Sequence, residues 1–400
     1  MTLIEMMVAL VIGLILSLAI FSVMSVFEGR RRTVVAGSDL DQAAGVAMFQ
    51  IDRWVRSAGT GFAAAASYAY GCELFAVDDS GGQILPMKTA LRDAPFDTVN
   101  PGASGVFRLA PVLILPGQTS PGASNAVTSG HVSDVLVLMS AGNGGGQVPT
   151  PFTAAATTAS LAVPNTLAFS GGDLVLLADR QPAATGGIAP CMVTQAGSAT
   201  TSGAATAMPL DGARHAASID SASVGNYSMT GVAIDLGNVS SARPPSFQLL
   251  GVGDNNTLYS YDLLQTSSTP LQARAEGVFE MHALYGVGST SDRTVDAWVS
   301  AGSGDYTVAA LSAGTPAAAA LLRTIRAVRV GLIMRTALPE RSGSAAGAAS
   351  SAATPATSLT LFSDLGDSKL TYTRALAGAE QQYRYRTLEA TIPLRNNGLQ

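Results

Sequence analysis

The most unusual ionisable residue in the sequence is Glu5, because 22 uncharged residues, 6–27, follow it directly. Together with Thr2 it has the spacing of a capping box, in which both side chains accept hydrogen bonds from free N–H groups of a first helical turn. A carboxylate at that position also complements the helix dipole. At the edge of a membrane its cost stays modest, because the side chain can reach the interface. From spacing alone, we predict a local helix cap.

Patterns that would indicate catalysis do not occur in the sequence. There is no G-x-S-x-G, H-E-x-x-H or Walker A pattern. The three histidines are His131, His215 and His282, and none has a partner at the spacing of metal ligands. His282 alternates with the residues of a candidate strand, which favours a structural role. We therefore predict that the protein is not an enzyme and that it uses no metal or cofactor.

Charge also argues against one class of partner. The formal net charge is −5, and no dense basic patch with interleaved aromatic residues occurs. Nucleic acid is therefore not predicted as a partner.

The element that positions Glu5 is a long apolar segment. As an α-helix, residues 6–27 would span about 33 Å, close to the hydrocarbon thickness of a bilayer. The apolar part of a secretory signal is shorter, typically about 7–15 residues. We therefore predict a retained transmembrane helix at 6–27.

The same helix is predicted to continue beyond the membrane. From Val35 the pattern becomes amphipathic, with apolar residues at spacings of three and four. The apolar face holds Leu40, Ala44, Ala47, Met48, Ile51, Trp54 and Val55. Gly59 is a plausible helix stop, so the helix is predicted to end near residue 58.

The rest of the chain, 59–400, reads as one β-rich globular domain. Strands are predicted at 131–140, 171–180, 277–287, 293–299, 326–336 and 381–396, a hairpin at 246–263 and a helix at 317–325. Low-complexity segments between them are predicted to be long surface loops, at 116–130, 141–168, 181–230 and 341–358. The predicted fold class is α+β, with a long N-terminal helix packed on an antiparallel β-sheet domain.

Orientation in the membrane presents a conflict. Arg30, Arg31 and Arg32 follow the apolar segment. The positive-inside rule would place these arginines in the cytoplasm, together with the rest of the chain that follows them. The conflict disappears if a basic leader once preceded residue 1 and was removed.

The N-terminal residues resemble the mature N-terminus of a type IV pilin. Residues 2–5 read TLIE, as is common in that family, with Met1 in place of the usual Phe. The resemblance implies a pilin-like fold, cleavage by prepilin peptidase and N-methylation of Met1. It further implies that Glu5 meets the N-terminal amine of a neighbouring subunit in an apolar helix bundle, where an unpaired carboxylate is costly. Such a pair would set the register of assembly.

The order of the later segments is similar to the PilW family of minor pilins, most clearly in TIPLRN at 391–396. This resemblance implies a low-abundance subunit that primes pilus assembly and sits at the tip. Its implied partners are other minor pilins, the major pilin and a large tip adhesin. The implied location is the inner membrane with a periplasmic domain, and the pilus after assembly. Alternatives are a type II secretion pseudopilin of the J type and a membrane-anchored adhesive module.

The two cysteines, Cys72 and Cys191, are predicted to form a disulfide. An exported domain lies in an oxidising compartment, and two cysteines fit one bridge. The bridge would close a loop of roughly 120 residues, which corresponds to about 4–5 kcal/mol in the chain-entropy treatment. The alternative is two buried free thiols.

Overall fold

One helix, α1 (Leu3–Ser57), carries the N-terminal part of the chain in the computed structural model. The structure describes residues 3–87, 92–101, 105–119, 132–142, 148–290, 294–337, 339 and 356–398. At 55 residues, α1 is about 82 Å long. It ends before Gly59, whose positive φ of 81° is typical of a glycine after a helix C-terminus. The backbone N–H of Gly59 then donates to the carbonyl of Met139 at 2.8 Å.

The two halves of α1 have different surroundings. Leu3–Met24 has a mean hydropathy of 2.8, is long and apolar enough to cross a membrane, and is not buried against the rest of the chain. The second half is amphipathic, and its buried positions are Leu40, Ala44, Ala47, Met48, Ile51 and Val55. These residues belong to the main hydrophobic core, with Trp54 packed against it.

The other helices are short, and most of the domain is β-structure. The helices are α2 (Ala66–Ala69), α3 (Val308–Leu311) and α4 (Pro316–Thr324). The first strands are β1 (Leu74–Val77), β2 (Gln83–Leu85), β3 (Val112–Thr119), β4 (Ser133–Ser140), β5 (Thr150–Pro151), β6 (Ser160–Ala162), β7 (Asp173–Asp179), β8 (Cys191–Gln195), β9 (Ala207–Pro209), β10 (Ser218–Ile219), β11 (Ala222–Ser223) and β12 (Gly231–Asn238). The remaining strands are β13 (Ser246–Gly253), β14 (Thr257–Asp262), β15 (Leu271–Ala275), β16 (Val278–Val287), β17 (Ala297–Ser300), β18 (Ile325–Arg335), β19 (Ser358–Leu361), β20 (Tyr372–Ala375) and β21 (Tyr385–Pro393).

Three larger sheets organise these strands. A five-stranded sheet has the order β15-β14-β13-β4-β3, and a four-stranded sheet has the order β17-β16-β18-β21. The second half of α1 contacts β18 and β21 of the four-stranded sheet and β4 and β15 of the five-stranded one. A six-stranded sheet has the order β2-β1-β8-β7-β12-β5 and includes one parallel pair, β1 with β8.

Some residues predicted as surface loops form ordered structure instead. Segment 181–230 contains the buried strand β8 and the short strands β9, β10 and β11, and 141–168 contains β5 and β6. They surround a second hydrophobic core that includes Phe152, Leu161, Met208 and Val224. Small residues in these segments allow the chain to turn often, and scattered large apolar residues still fill a core. The loop prediction for both segments was therefore wrong.

The α+β class, the apolar N-terminal helix and the antiparallel sheets are confirmed. The hairpin at 246–263 is also found, as β13 and β14 joined by a turn at Asp254–Asn256. Asn255 has a positive φ of 59°, a conformation that asparagine adopts more readily than most residues.

Candidate assembly site

Glu5 lies in the first turn of α1, and its side chain is exposed. Large apolar side chains surround it along the helix, including Leu3 at 78% and Ile4 at 74% exposure. A helix surface of this composition is unfavourable in water and stable only against lipid or other apolar helices. Met1 and Thr2 lie outside the described residues, so the predicted Thr2–Glu5 cap and the N-methylated Met1 stay predictions.

The outward face of α1 remains partly apolar beyond the membrane-length segment. Val46 is 45% exposed and Phe49 is 69% exposed. Both lie away from the stripe that packs into the core, because positions 46 and 49 are rotated well away from 44, 48 and 51 on a helix. This face is therefore available for contact with another helix.

The C-terminal end of α1 is held by the end of the chain. The side-chain nitrogen Nδ2 of Asn396 lies 3.2 Å from the carbonyl oxygen of Ala58 and 2.7 Å from Oγ1 of Thr60. It also lies 3.4 Å from the carbonyl oxygen of Ser57. The last carbonyl groups of a helix have no partner within the helix, so this amide satisfies groups that would otherwise need water.

The next residue ties the same region to the four-stranded sheet. Nδ2 of Asn397 donates to the carbonyl oxygens of Leu322 at 2.8 Å and Ile325 at 2.7 Å. The guanidinium of Arg326 donates to the carbonyl oxygen of Asn397 at 2.7 Å. Two adjacent asparagines thus join α1, α4 and β18 and fix the orientation of the helix on the domain.

A buried group of charged side chains lies where the four-stranded sheet, the five-stranded sheet and the β19–β20 hairpin meet. Glu280 on β16 is fully buried, and its Oε2 is 3.4 Å from Nε2 of His282. Nδ1 of His282 is 3.6 Å from Oδ1 of Asp134 on β4. From the β19–β20 hairpin, Tyr372 donates to Glu280 at 2.8 Å, and Nε of Arg374 lies 3.3 Å from Glu280. These contacts join two sheets and the hairpin.

The charge of His282 follows from these contacts. Burial lowers the pKa of its imidazole, but hydrogen bonds to Asp134 and Glu280 and the charges of both carboxylates outweigh that effect and raise it to about 9. The imidazole ring also stacks on Tyr372, with ring centroids 3.7 Å apart. His282 is therefore a cation at neutral pH that holds the two carboxylates together.

Cys72 and Cys191 are joined by a disulfide in the structure, with their Cα atoms 5.6 Å apart. Both residues are fully buried. Cys191 begins β8, which pairs in parallel with β1 just after Cys72. The bridge thus joins residues 119 positions apart at the start of one strand pair.

The carboxylate of Asp78 is used within its own turn. Oδ1 of Asp78 accepts hydrogen bonds from the backbone N–H groups of Ser80 at 2.9 Å and Gly82 at 2.8 Å, so it organises its own turn. Among the described residues, no group of three or more His, Cys, Asp or Glu side chains is arranged to hold a metal ion.

Comparison with known proteins identifies the C-terminal part of the chain. Residues 250–396 match the family model of type IV pilus-assembly protein W, PilW. Over this segment the chain is similar to the PilW family. No curated protein and no solved structure matches the chain. The matched family is one of type IV pilus-assembly proteins.

The PilW segment begins within β13 and includes β14 to β21. It contains Glu280, His282 and the hairpin residues that contact them, and it ends at Asn396. The residues with which the PilW segment holds α1 are therefore part of the family match, whereas α1 itself lies outside it.

The sequence analysis did not predict the contacts through which Asn396 and His282 hold these elements together. It used residues 391–396 for the PilW resemblance without assigning Asn396 to the helix end, because a contact across 338 positions leaves no local pattern. It gave His282 a structural role, but it did not connect the residue to Asp134 or to the hairpin. The signal for Glu280 and His282 was two charged or polar residues on one face of an apolar strand.

Proposed function

We propose that the protein is a minor pilin that helps to initiate type IV pilus assembly and lies in or at the tip of the pilus. The observation that carries the proposal is one continuous helix with two kinds of surface. Its first half is apolar and exposed, and its second half packs mainly on β15, β18 and β21, which lie in the PilW segment. Such a subunit can move its apolar half from lipid into a bundle of similar helices without refolding the domain.

In this proposal the protein begins as a single-pass inner-membrane protein with a periplasmic domain. Prepilin peptidase removes a leader, and Met1 becomes the N-methylated first residue. After assembly, the apolar half of α1 packs against the helices of other minor pilins and the major pilin. A large adhesin at the tip is a further partner.

Glu5 is proposed to set the register of that packing. Its carboxylate is the one charge in the apolar part of α1, between residue 3 and residue 27. Inside a helix bundle it is costly unless a cation meets it. The N-terminal amine of a neighbouring subunit supplies that cation, and the pair stabilises one axial offset above others.

The proposal is tested by removing the protein from its host. Deletion should reduce surface piliation and twitching motility, and expression of the full chain from a plasmid should restore both. Unchanged piliation with loss of secreted soluble enzymes would instead indicate a type II secretion pseudopilin. Unchanged piliation and secretion with reduced surface attachment would indicate an adhesive module.

A further inference from the structure

The β19–β20 hairpin lies on the four-stranded sheet without joining it. Its two strands pair with each other, from Ser358 with Ala375 to Leu361 with Tyr372, and form a separate two-stranded sheet. Among the described residues the strand order of the larger sheet is β17-β16-β18-β21, so the hairpin adds no strand to it. The β19–β20 hairpin is therefore held on the domain by contacts other than the backbone ladder of a shared sheet.

The apolar side of the hairpin fills a small hydrophobic core of its own. Leu361 and Phe362 are almost fully buried there, against Phe279 and Ile333 of the sheet. Gly331 on β18 leaves the space, because a Cβ at that position would lie 2.9 Å from Cδ1 of Leu361 and 3.0 Å from Cζ of Phe362. A glycine inside a strand often marks such a close approach. Hairpin and sheet are thus fitted to each other at Gly331.

The backbone of Phe362 is in a conformation that favours release of the hairpin. Its φ is 61°, in the left-handed region, which is uncommon for a bulky residue. Such a conformation costs free energy and persists only where the surrounding contacts hold it. Once the contacts of its ring are lost, Phe362 can return to an ordinary conformation. The strain therefore acts against the closed position.

The polar side of the hairpin covers a buried carboxylate. Glu280 on β16 is fully buried. From the hairpin, Tyr372 donates to its Oε2 at 2.8 Å, and Nε of Arg374 lies 3.3 Å from its Oε1. The ring of Tyr372 also stacks on His282 of the sheet. Lifting the hairpin would remove both covering side chains and bring water to Glu280.

The charged groups around His282 come from several elements. Asp134 on β4 and Glu280 on β16 lie 3.6 and 3.4 Å from the imidazole nitrogens. Arg374 on β20 pairs with Glu280 and also lies 3.0 Å from Glu380, in the turn after β20. When His282 loses its charge, Asp134 and Glu280 lose the cation that they share. Because buried carboxylates without a cation are costly, the closed arrangement becomes less favourable.

We propose that the β19–β20 hairpin is a strap that opens as one unit while the rest of the domain stays folded, and that the positive charge of His282 keeps it closed. In the open state Glu280 reaches water, and the apolar sheet face around Phe279 and Ile333 is uncovered. The charge favours the closed state most below a pKa near 6.5, the ordinary value, and the advantage is lost as pH rises through about 9. The inference concerns the domain alone and does not depend on the proposed function.

The test is hydrogen exchange of the purified full chain in detergent, followed by mass spectrometry. At pH 6.5, peptides from 358–375 should be at least about tenfold less protected than peptides from β13, which is paired on both sides. Low concentrations of urea should accelerate exchange in β13 and leave the hairpin nearly unaffected, because opening the hairpin exposes little surface. This difference separates local opening from unfolding of the whole domain.

The role of the charge is tested by repeating the measurement at pH 8.5, with times scaled for the faster chemical exchange. Hairpin protection should fall roughly fortyfold, as a pKa of 6.5 in the open state and about 9 in the closed state requires. His282→Gln should lower hairpin protection at pH 6.5 and remove most of the change between the two pH values. If His282→Gln does not fold, the wild-type comparison and the next variant decide the question.

Gly331→Ala tests the apolar contact independently of titration. The added Cβ crowds the two buried hairpin side chains, so hairpin protection should fall several-fold at both pH values. Asp364→Asn is the matched control within the hairpin. Asp364 pairs with Arg329 at 2.6 Å, but its side chain is 63% exposed, so its loss should change protection by only about twofold.

Equal protection of the hairpin and β13, with the same response to urea, would overturn the inference, because the hairpin would then open only when the whole domain unfolds. Hairpin protection that is the same at both pH values, or that falls equally in His282→Gln, would overturn the role of the charge. Unchanged protection in Gly331→Ala would overturn the role of the apolar contact. Piliation of a deletion strain, which tests the proposed function, is unaffected by any of these results.

Discussion

The side-chain amide of Asn396 lies 3.2 Å from the carbonyl oxygen of Ala58, so the end of the chain caps the helix that begins it. Replacing Asn396 by Ala should lower the free energy of unfolding by about 1–2 kcal/mol, because buried carbonyl groups lose their donor. Urea unfolding of the full chain in detergent measures the change. Asn396→Asp should cost a similar amount or more, because a carboxylate cannot donate to the carbonyls.

Asn165→Ala is the matched control for Asn396, since Asn165 only accepts a hydrogen bond from Leu167 in an exposed turn. Its effect should stay within about 0.5 kcal/mol. Equal losses in the Asn165 and Asn396 variants would show that the contact at the helix end has no special role.

The buried imidazole of His282 predicts a decline of stability at alkaline pH. Its pKa in the folded state is raised to about 9, so its contribution is complete below the unfolded value near 6.5 and is lost as pH rises through about 9. The loss should be about 3 kcal/mol at most. Urea unfolding at pH 6, 7.5 and 9.5 measures it.

His282→Gln should remove that alkaline decline and should itself lower stability at pH 6. Glutamine carries no charge, so Asp134 and Glu280 would lose their shared cation while Arg374 stays with Glu280. If wild type and variant lose stability in parallel between pH 6 and 9.5, the assignment of the transition to His282 is wrong.

Asp235 on β12 predicts a pH effect in a lower range. Burial raises the pKa of its carboxyl to about 7, although Oδ1 accepts the backbone N–H of Gly237 at 2.8 Å. A raised pKa means that stability falls as pH rises from the unfolded value near 4 towards 7. Asp235→Asn keeps an acceptor for Gly237 and removes the buried charge.

The Asp235→Asn variant should therefore melt at a higher temperature than wild type at pH 8, and the difference should shrink at pH 5. Thermal unfolding at both values, followed by circular dichroism, measures the difference. A variant less stable than wild type at pH 8 would indicate that the ionised carboxylate is favourable where it lies.

Removal of the bridge between Cys72 and Cys191 should lower the free energy of unfolding by about 2–5 kcal/mol. The double variant Cys72→Ser, Cys191→Ser tests this in urea unfolding. Wild type treated with a reductant under denaturing conditions and refolded without oxidant provides a control that keeps both cysteines. Intact-mass measurement of untreated wild type should show a mass two hydrogens below the reduced form, and free thiols would contradict the bridge.

Glu5→Ala should weaken incorporation into filaments while the globular domain stays folded. An uncharged residue can enter the apolar bundle, but it no longer pairs with the amine of a neighbour and so no longer selects one offset. The amount of protein in sheared pili, relative to that in the membrane, measures incorporation. Glu28→Ala is a matched control, because Glu28 lies just outside the apolar segment.

Normal incorporation of Glu5→Ala would leave Glu5 as a local cap only. Mass spectrometry of the N-terminal peptide from purified pili provides the companion measurement. We expect it to begin at a methylated Met1.

Local patterns in the sequence were enough to predict many of the helices and strands. The stripe from Leu40 to Val55 predicted which face of α1 is buried, and Gly59 predicted where the helix ends. Strands β4, β16 and β18 were predicted because each is a run of apolar residues with few breaks. Strand β8 was missed because it lies among small and polar residues, and only its pairing with β1 and β7 makes it a strand.

The long-range contacts could not be predicted in the same way. Asn396 and Ala58, or His282 and Asp134, meet because the sheets bring them together, and neither pair has a sequence spacing that signals contact. Glu5 could be singled out from the sequence, because the free-energy cost of burying its carboxylate depends on the apolar residues next to it in the chain.

The contact of Asn396 with the C-terminal end of α1 has a mechanical consequence. In the proposed pilus, tension on the filament would act on the helical part of each subunit and would reach the domain along the packed half of α1. Because α1 lies against β18 and β21 and its end is held by the residues that follow β21, the load enters the sheet sideways across many contacts at once. We expect such a junction to yield abruptly at high force, whereas a helix attached only by its last turn would peel away gradually.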